Sequence, residues 1–214
     1  MNKNISDEFL DDLLEGFKPV RPILEPSRSA FLWLLFCIVL SVFLVANESD
    51  FRSGYQKQLF SSPKLMLEIF FGFLSGIVAA FYAFEMAVPG QHWGFKKKLL
   101  SVLPFIIFSF LSLYSLFDPA LPPSWEGWRF GCERDIMMYG AIPMIIFFIL
   151  ANRAAPIEKE WNGLLIGISA MAPSAALMQL ACMYNPWHFL GFHLAPVILV
   201  ALIGARVGKL FLKL

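Results

Sequence analysis

Long apolar runs separated by short polar breaks dominate the chain. Six of them are long enough to cross a bilayer, for which about 18 or more consecutive apolar residues suffice. They run from about Ala30 to Ala46, Leu65 to Val88, Leu99 to Phe117, Ile136 to Ala151, Leu164 to Met183 and Phe189 to Leu210. The stretches between them carry the punctuation. Asn47–Lys64 is polar, and Pro89–Lys98 ends in Lys96, Lys97 and Lys98. Asp118–Asp135 holds three prolines and two tryptophans, Asn152–Trp161 holds Arg153, Pro156 and Lys159, and Asn185-Pro186 marks the last turn. The pattern predicts an all-α membrane protein, a bundle of six transmembrane helices spanning residues 30–214. Trp33, Trp93, Trp125, Trp128, Trp161 and Trp187 all fall near span ends, where interfacial belts form.

Ahead of the spans the periodicity changes. Ile5, Phe9, Leu10, Leu13, Leu14 and Phe17 recur at three- and four-residue steps, which makes one apolar stripe on a helix. Asp7, Glu8, Asp11, Asp12 and Glu15 occupy the other face. Ser6 suits the N-cap, and Gly16 and Pro19 end the helix. Pro19, Pro22 and Pro26 then predict a stiff, extended connector. Residues 1–29 thus read as a short acidic amphipathic head with a proline-rich connector. Residues 1–26 lack the basic n-region and apolar h-region of a cleavable signal peptide.

Composition supports the bilayer reading: 58% of residues are hydrophobic and 15% charged, with a mean hydropathy of +0.65. A net charge of +1 gives no global attraction to nucleic acid, so direct nucleic-acid binding is not expected. The distribution of charge says more. With the N-terminus placed in the cytoplasm, the outer segments hold only Arg52, Lys57, Lys64, Arg129 and Arg134 of the 17 lysines and arginines. The rest lie inside, so both termini are expected in the cytoplasm of a bacterial inner-membrane protein. The pairs Gly72/Gly76, Gly163/Gly167 and Gly204/Gly208 have the small-xxx-small spacing that lets helix backbones approach. They serve packing inside one bundle or a homodimer seam.

Topology places Cys132 and Cys182 at the same, outer face, where disulfides persist. Cys37 falls mid-span and reads as a small buried apolar residue. A Cys132–Cys182 bridge would close a loop worth roughly 4 kcal/mol in the chain-entropy model. A structural disulfide, a redox- or thiol-reactive pair and two independent thiols all remain open. His188 and His193 lie near the same face, and two cysteines with two histidines suit a soft metal such as zinc or cadmium. The spacing matches no standard metal motif. Five residues apart, the two histidines do not share a face of an α-helix. Glu68 and Glu85 lie near span ends and are expected to be solvated or paired there. No HExxH, GxSxG, P-loop or dinucleotide fingerprint occurs, so neither an enzyme nor a resident cofactor is expected. Glu133 and Asp135 read as acids at a helix start. Candidate pore-lining groups, among them Glu68, Ser112, Asn162 and Gln179, are few and scattered. A small transporter or channel and a periplasm-facing thiol redox protein are the alternatives from other classes.

The acidic head must bury its stripe. Its carboxylates disfavour an anionic membrane surface, and a groove on a basic cytoplasmic protein fits better. Docking on the bundle's own inner face is the other option. Cys132 with the following span through Pro143, Ala154-Ala155-Pro156, the small-residue span Gly163 to Ala181, and Cys182 form a set of stretches. Asn185-Pro186-Trp187-His188 and Gly204-Ala205-Arg206-Val207-Gly208 complete it. Taken together they resemble the negative regulator of sigma F family. Glu8-Phe9-Leu10 and Pro19-Val20-Arg21 resemble that family's head. The end, Lys209-Leu210-Phe211, departs from the family's usual arginine and tryptophan. The resemblance implies a six-span inner-membrane anti-sigma factor holding an extracytoplasmic-function sigma factor through residues 5–28. It also implies that Cys132 and Cys182 sense oxidants or heavy metals. On that reading Phe9, Leu10, Leu13, Leu14 and Phe17 fill an apolar groove on the sigma factor, and Asp11, Asp12 and Glu15 face its basic surface.

Overall fold

The computed structural model describes residues 25–48, 51–88, 93–154 and 156–212. The predicted head helix over residues 5–17 lies outside the described residues. Within them there are seven helices and no strand: α1 Pro26–Glu48, α2 Tyr55–Ser61, α3 Pro63–Met86, α4 Phe95–Tyr114, α5 Cys132–Ala154, α6 Lys159–Ala181 and α7 Pro186–Phe211. All but the short α2 are long and apolar enough to cross a membrane. Two boundaries differ usefully from the sequence expectation. Pro26 opens α1 instead of ending an extended connector, as suits a residue whose fixed φ and missing N–H are harmless in a first turn. Part of the polar stretch before Lys64 folds as α2, and Ser62 caps α3, its hydroxyl accepting from Leu65 N at 3.3 Å.

α6 is the axis of the bundle, with 83% of its apolar window buried. Its sequence explains the position. Gly163, Gly167, Ala172, Ala175 and Ala176 present almost no side chain, so α3, α5 and α7 close on its backbone. A Cβ on Gly163 would sit 2.1 Å from the Gly204 carbonyl oxygen on α7. One on Gly76 would sit 2.3 Å from Pro173 Cγ, and one on Gly140 2.1 Å from Met171 Sδ. All three glycine pairs named from the sequence are therefore consumed by packing within the bundle. The outer faces of α1, α4 and α7 carry exposed Phe31, Phe43, Phe110 and Leu199, as lipid-facing surfaces do.

Two tryptophans depart from the interfacial expectation. Trp33 is buried, its indole donates to the Pro143 carbonyl at 3.4 Å, and its ring lies 4.8 Å from Phe147. Trp93 is buried against Tyr82. Trp125, Trp128 and Trp187 are exposed at one end of the bundle, as belt residues would be. At the opposite end, ion pairs tie the helix ends together. Lys97 reaches Glu85 at 2.8 Å, Lys209 reaches Glu160 at 2.6 Å, and Lys98 pairs with Glu158.

Candidate functional site

Three helix ends meet where the tryptophans lie. Cys132 is the first residue of α5, Cys182 caps the C-terminus of α6, and His188 and His193 lie in the first turns of α7. Each junction has a local cause. Gly127 and Gly131 take left-handed conformations, φ 80° and 87°, and fold the preceding loop back so that α5 can start at Cys132. At Gly127 the chain also passes close to its neighbours, since a Cβ there would lie 3.3 Å from Arg52 Cγ. Asn185 N-caps α7, its Oδ1 accepting from Trp187 N at 3.0 Å and His188 N at 3.2 Å, and Pro186 follows at N1.

One ligand atom from each of Cys132, Cys182, His188 and His193 lies within 4.8 Å of the other three. Both cysteines are free thiols, and Cys37 is buried elsewhere in the bundle. The Cys182 Sγ and His188 Nε2 are 3.1 Å apart. His188 stacks on Phe192, and its ring centre is 5.3 Å from that of His193. The Cys182 thiol is held below the ordinary thiol range, chiefly by its hydrogen bond with the Cys132 thiol. His188 adds to that effect and burial opposes it.

The backbone brings the two histidines, five residues apart, onto one face. Leu190–Leu194 form a π-helical turn inside α7. A single π-turn accommodates one additional residue, so positions five apart take up the relation that i and i+4 have in an α-helix. His193 is 1% exposed, and among the described residues neither of its ring nitrogens finds a partner at ordinary hydrogen-bond geometry. A cleft of about 390 Å³ opens beside the cluster, lined by residues that include Trp125, Trp128, Phe130, Trp187 and His188.

Sequence reasoning missed the groups that brace this end. Arg52, counted only as an outer charge, is buried. Its backbone N–H donates to the Leu180 carbonyl at 3.1 Å and its Nη1 to the Cys182 carbonyl at 2.5 Å, while Nε donates to Gln58 at 2.9 Å. It thereby satisfies carbonyls left open at the end of α6. Glu68 is neither solvated nor ion-paired. It is 1% exposed, accepts from Gln179 Nε2 at 2.6 Å and from the Ser115 hydroxyl, and so draws together groups that the sequence left scattered. Glu85, by contrast, is paired as expected. Tyr184 accepts from Ala120 N at 2.6 Å, and burial pushes its phenol up to about 12. A signal for Arg52 was present, since it is one of few cations on its side of the bundle. Nothing in the sequence pairs it with a residue 130 positions away.

Six membrane-crossing helices around a small-residue axis, with a thiol–imidazole cluster at one end, define a multi-pass α-helical membrane protein. The comparisons specify which. The family model described as negative regulator of sigma F matches residues 13–214. The chain belongs to that family. No curated protein and no solved structure matches it.

Proposed function

We propose that this protein is an inner-membrane anti-sigma factor that holds an extracytoplasmic-function sigma factor at the cytoplasmic face and releases it when the periplasmic Cys132–Cys182 site changes state. The family match supports the sigma-factor partner. The observation that carries the sensing half is the meeting of Cys132 and Cys182, which start and end different helices, within 4.8 Å at one end of the bundle. The acidic head binds by helix-in-groove docking, with Phe9, Leu10, Leu13, Leu14 and Phe17 as anchors. Asp11, Asp12 and Glu15 steer it to a basic surface. Holding the sigma factor there keeps it from polymerase.

The connection between the two ends is mechanical. Cys132 begins α5, against which α1 packs through Trp33 and Phe147, and α1 directly follows the head. A bond or ligand shared by Cys132 and Cys182 fixes the start of α5 to the end of α6. Such a change shifts sigma binding only through a difference in its stability between two packings of the bundle.

The test is co-purification of the full-length protein from its own cells in detergent. The native chain should bring down a sigma factor, and a Phe9→Asp, Leu13→Asp variant should not. Recovery of no sigma factor by either chain would overturn the reading. On the recovered complex, Cys132→Ser and Cys182→Ser should each abolish release by oxidant or cadmium. Unchanged release would remove the sensing role and leave the anti-sigma role standing.

A further inference from the structure

We infer that Cys132, Cys182, His188 and His193 form a closed, four-coordinate site for a thiophilic divalent cation of the zinc–cadmium class, assembled by the π-turn of α7. Two thiols alone do not require it, since they account equally well for a disulfide or for separate reactive groups. The histidines do. His193 is buried, and among the described residues neither ring nitrogen has a partner at ordinary hydrogen-bond geometry, although a buried polar group commonly finds one. One ligand atom of its imidazole lies within 4.8 Å of those of the two thiols and His188. The π-turn is the second, independent sign. Such turns are rare and are frequently found at functional sites, and this one puts His193 on the His188 face.

The dimensions fit. Zinc binds cysteine sulfur at about 2.3 Å and histidine nitrogen at about 2.0–2.1 Å in a tetrahedron, so the ligand atoms stand roughly 3.3–3.8 Å apart. The cluster needs a contraction of at most about 1–1.5 Å at its widest pair to reach that arrangement. Charge balance fits as well. Two thiolates cancel a divalent cation, and a neutral complex is the form tolerated beside a bilayer. Binding displaces the two thiol protons to solvent, and no electron is transferred. Soft sulfur donors select zinc or cadmium over magnesium or calcium. All four positions are filled by the protein, which leaves no open site for a reacting water. His188, half-buried and part of the lining of the tryptophan-rich cleft, gives the ion its way in. That occupancy is the signal rests on the function proposed above, whereas binding itself needs no sigma factor.

The experiment titrates cobalt(II) into the reduced, metal-free, full-length protein in detergent, followed by zinc and cadmium. The expected result is one cobalt per chain, the intense visible bands of tetrahedral cobalt, and a thiolate-to-cobalt charge-transfer band, all removed by zinc. His188→Gln and His193→Gln should each weaken binding by more than the roughly tenfold to hundredfold loss that follows removal of even an outer-shell partner. His193 is buried, so the half-exposed His188 provides the variant that leaves the core intact. Helical circular dichroism verifies both. A weak octahedral spectrum, no binding by the native chain, or native affinity in the His188→Gln, His193→Gln double variant would each overturn the site. Sigma-factor co-purification from the same metal-free preparations tests the anti-sigma reading separately.

Discussion

At the residue scale, the cysteine end is held by buried polar groups whose partners are distant in sequence. Arg52 is the most exacting, since one guanidinium serves both Gln58 and the Cys182 carbonyl. Arg52→Met should destabilise the protein by about 1.5–3 kcal/mol, the range for hydrogen bonds to charged groups, read as a lower unfolding midpoint in detergent. Alkylation of Cys182 should accelerate in the same variant, because the end of α6 loses its clamp. Arg52→Lys should rescue little, as an ammonium cannot reproduce the two-armed fork. Gln179→Leu removes one of the donors to Glu68 and leaves a buried carboxyl oxygen without that partner. The expected cost is about 1–3 kcal/mol by the same measurement. An unchanged midpoint would mean that water reaches Glu68.

At the element scale, helix contacts are set by what is missing from side chains. Gly163 and Gly204 hold α6 and α7 at backbone contact, with no room for even one methyl group. Gly163→Ala should cost about 1–3 kcal/mol, as overpacking does, and should lower the midpoint correspondingly. Gly191 is the internal control. Among the described residues nothing lies within 4 Å of a Cβ there, so Gly191→Ala should be neutral or stabilising by up to about 1 kcal/mol. The spacing of these glycines was legible because small-xxx-small is a local pattern. Which helix each one faces was not, since a glycine carries no mark of its partner. The π-turn was equally hidden. Leu190–Leu194 continues the apolar pattern of an ordinary helix, and the added residue appears only in the hydrogen bonding.

At the scale of the whole molecule, the two ends of the bundle differ in what they gather. One holds the lysine–glutamate ion pairs, the other Cys132, Cys182, His188 and His193 with the exposed Trp125, Trp128 and Trp187. Sidedness is tested with single cysteines in a background in which Cys37, Cys132 and Cys182 are serine. Trp125→Cys should react with a membrane-impermeant maleimide on intact spheroplasts, and Lys213→Cys only after the membrane is opened. The reverse pattern would invert the topology and move the cluster to the cytoplasm.

The sequence by itself determined the number of spans, their approximate limits and their small-residue faces. Each follows from hydrophobic periodicity within a window of some twenty residues, and burial in lipid acts on such a window directly. It also singled out the two outer cysteines and the acidic head as candidates. Only the tertiary structure decided that Cys132, Cys182, His188 and His193 converge, that Glu68 has Gln179 and Ser115 for partners, and that Arg52 closes the end of α6. These contacts join separate helices, and their geometry is fixed by how closely α3, α5 and α7 settle on α6. That closeness is a property of packing, which no local pattern in the chain records.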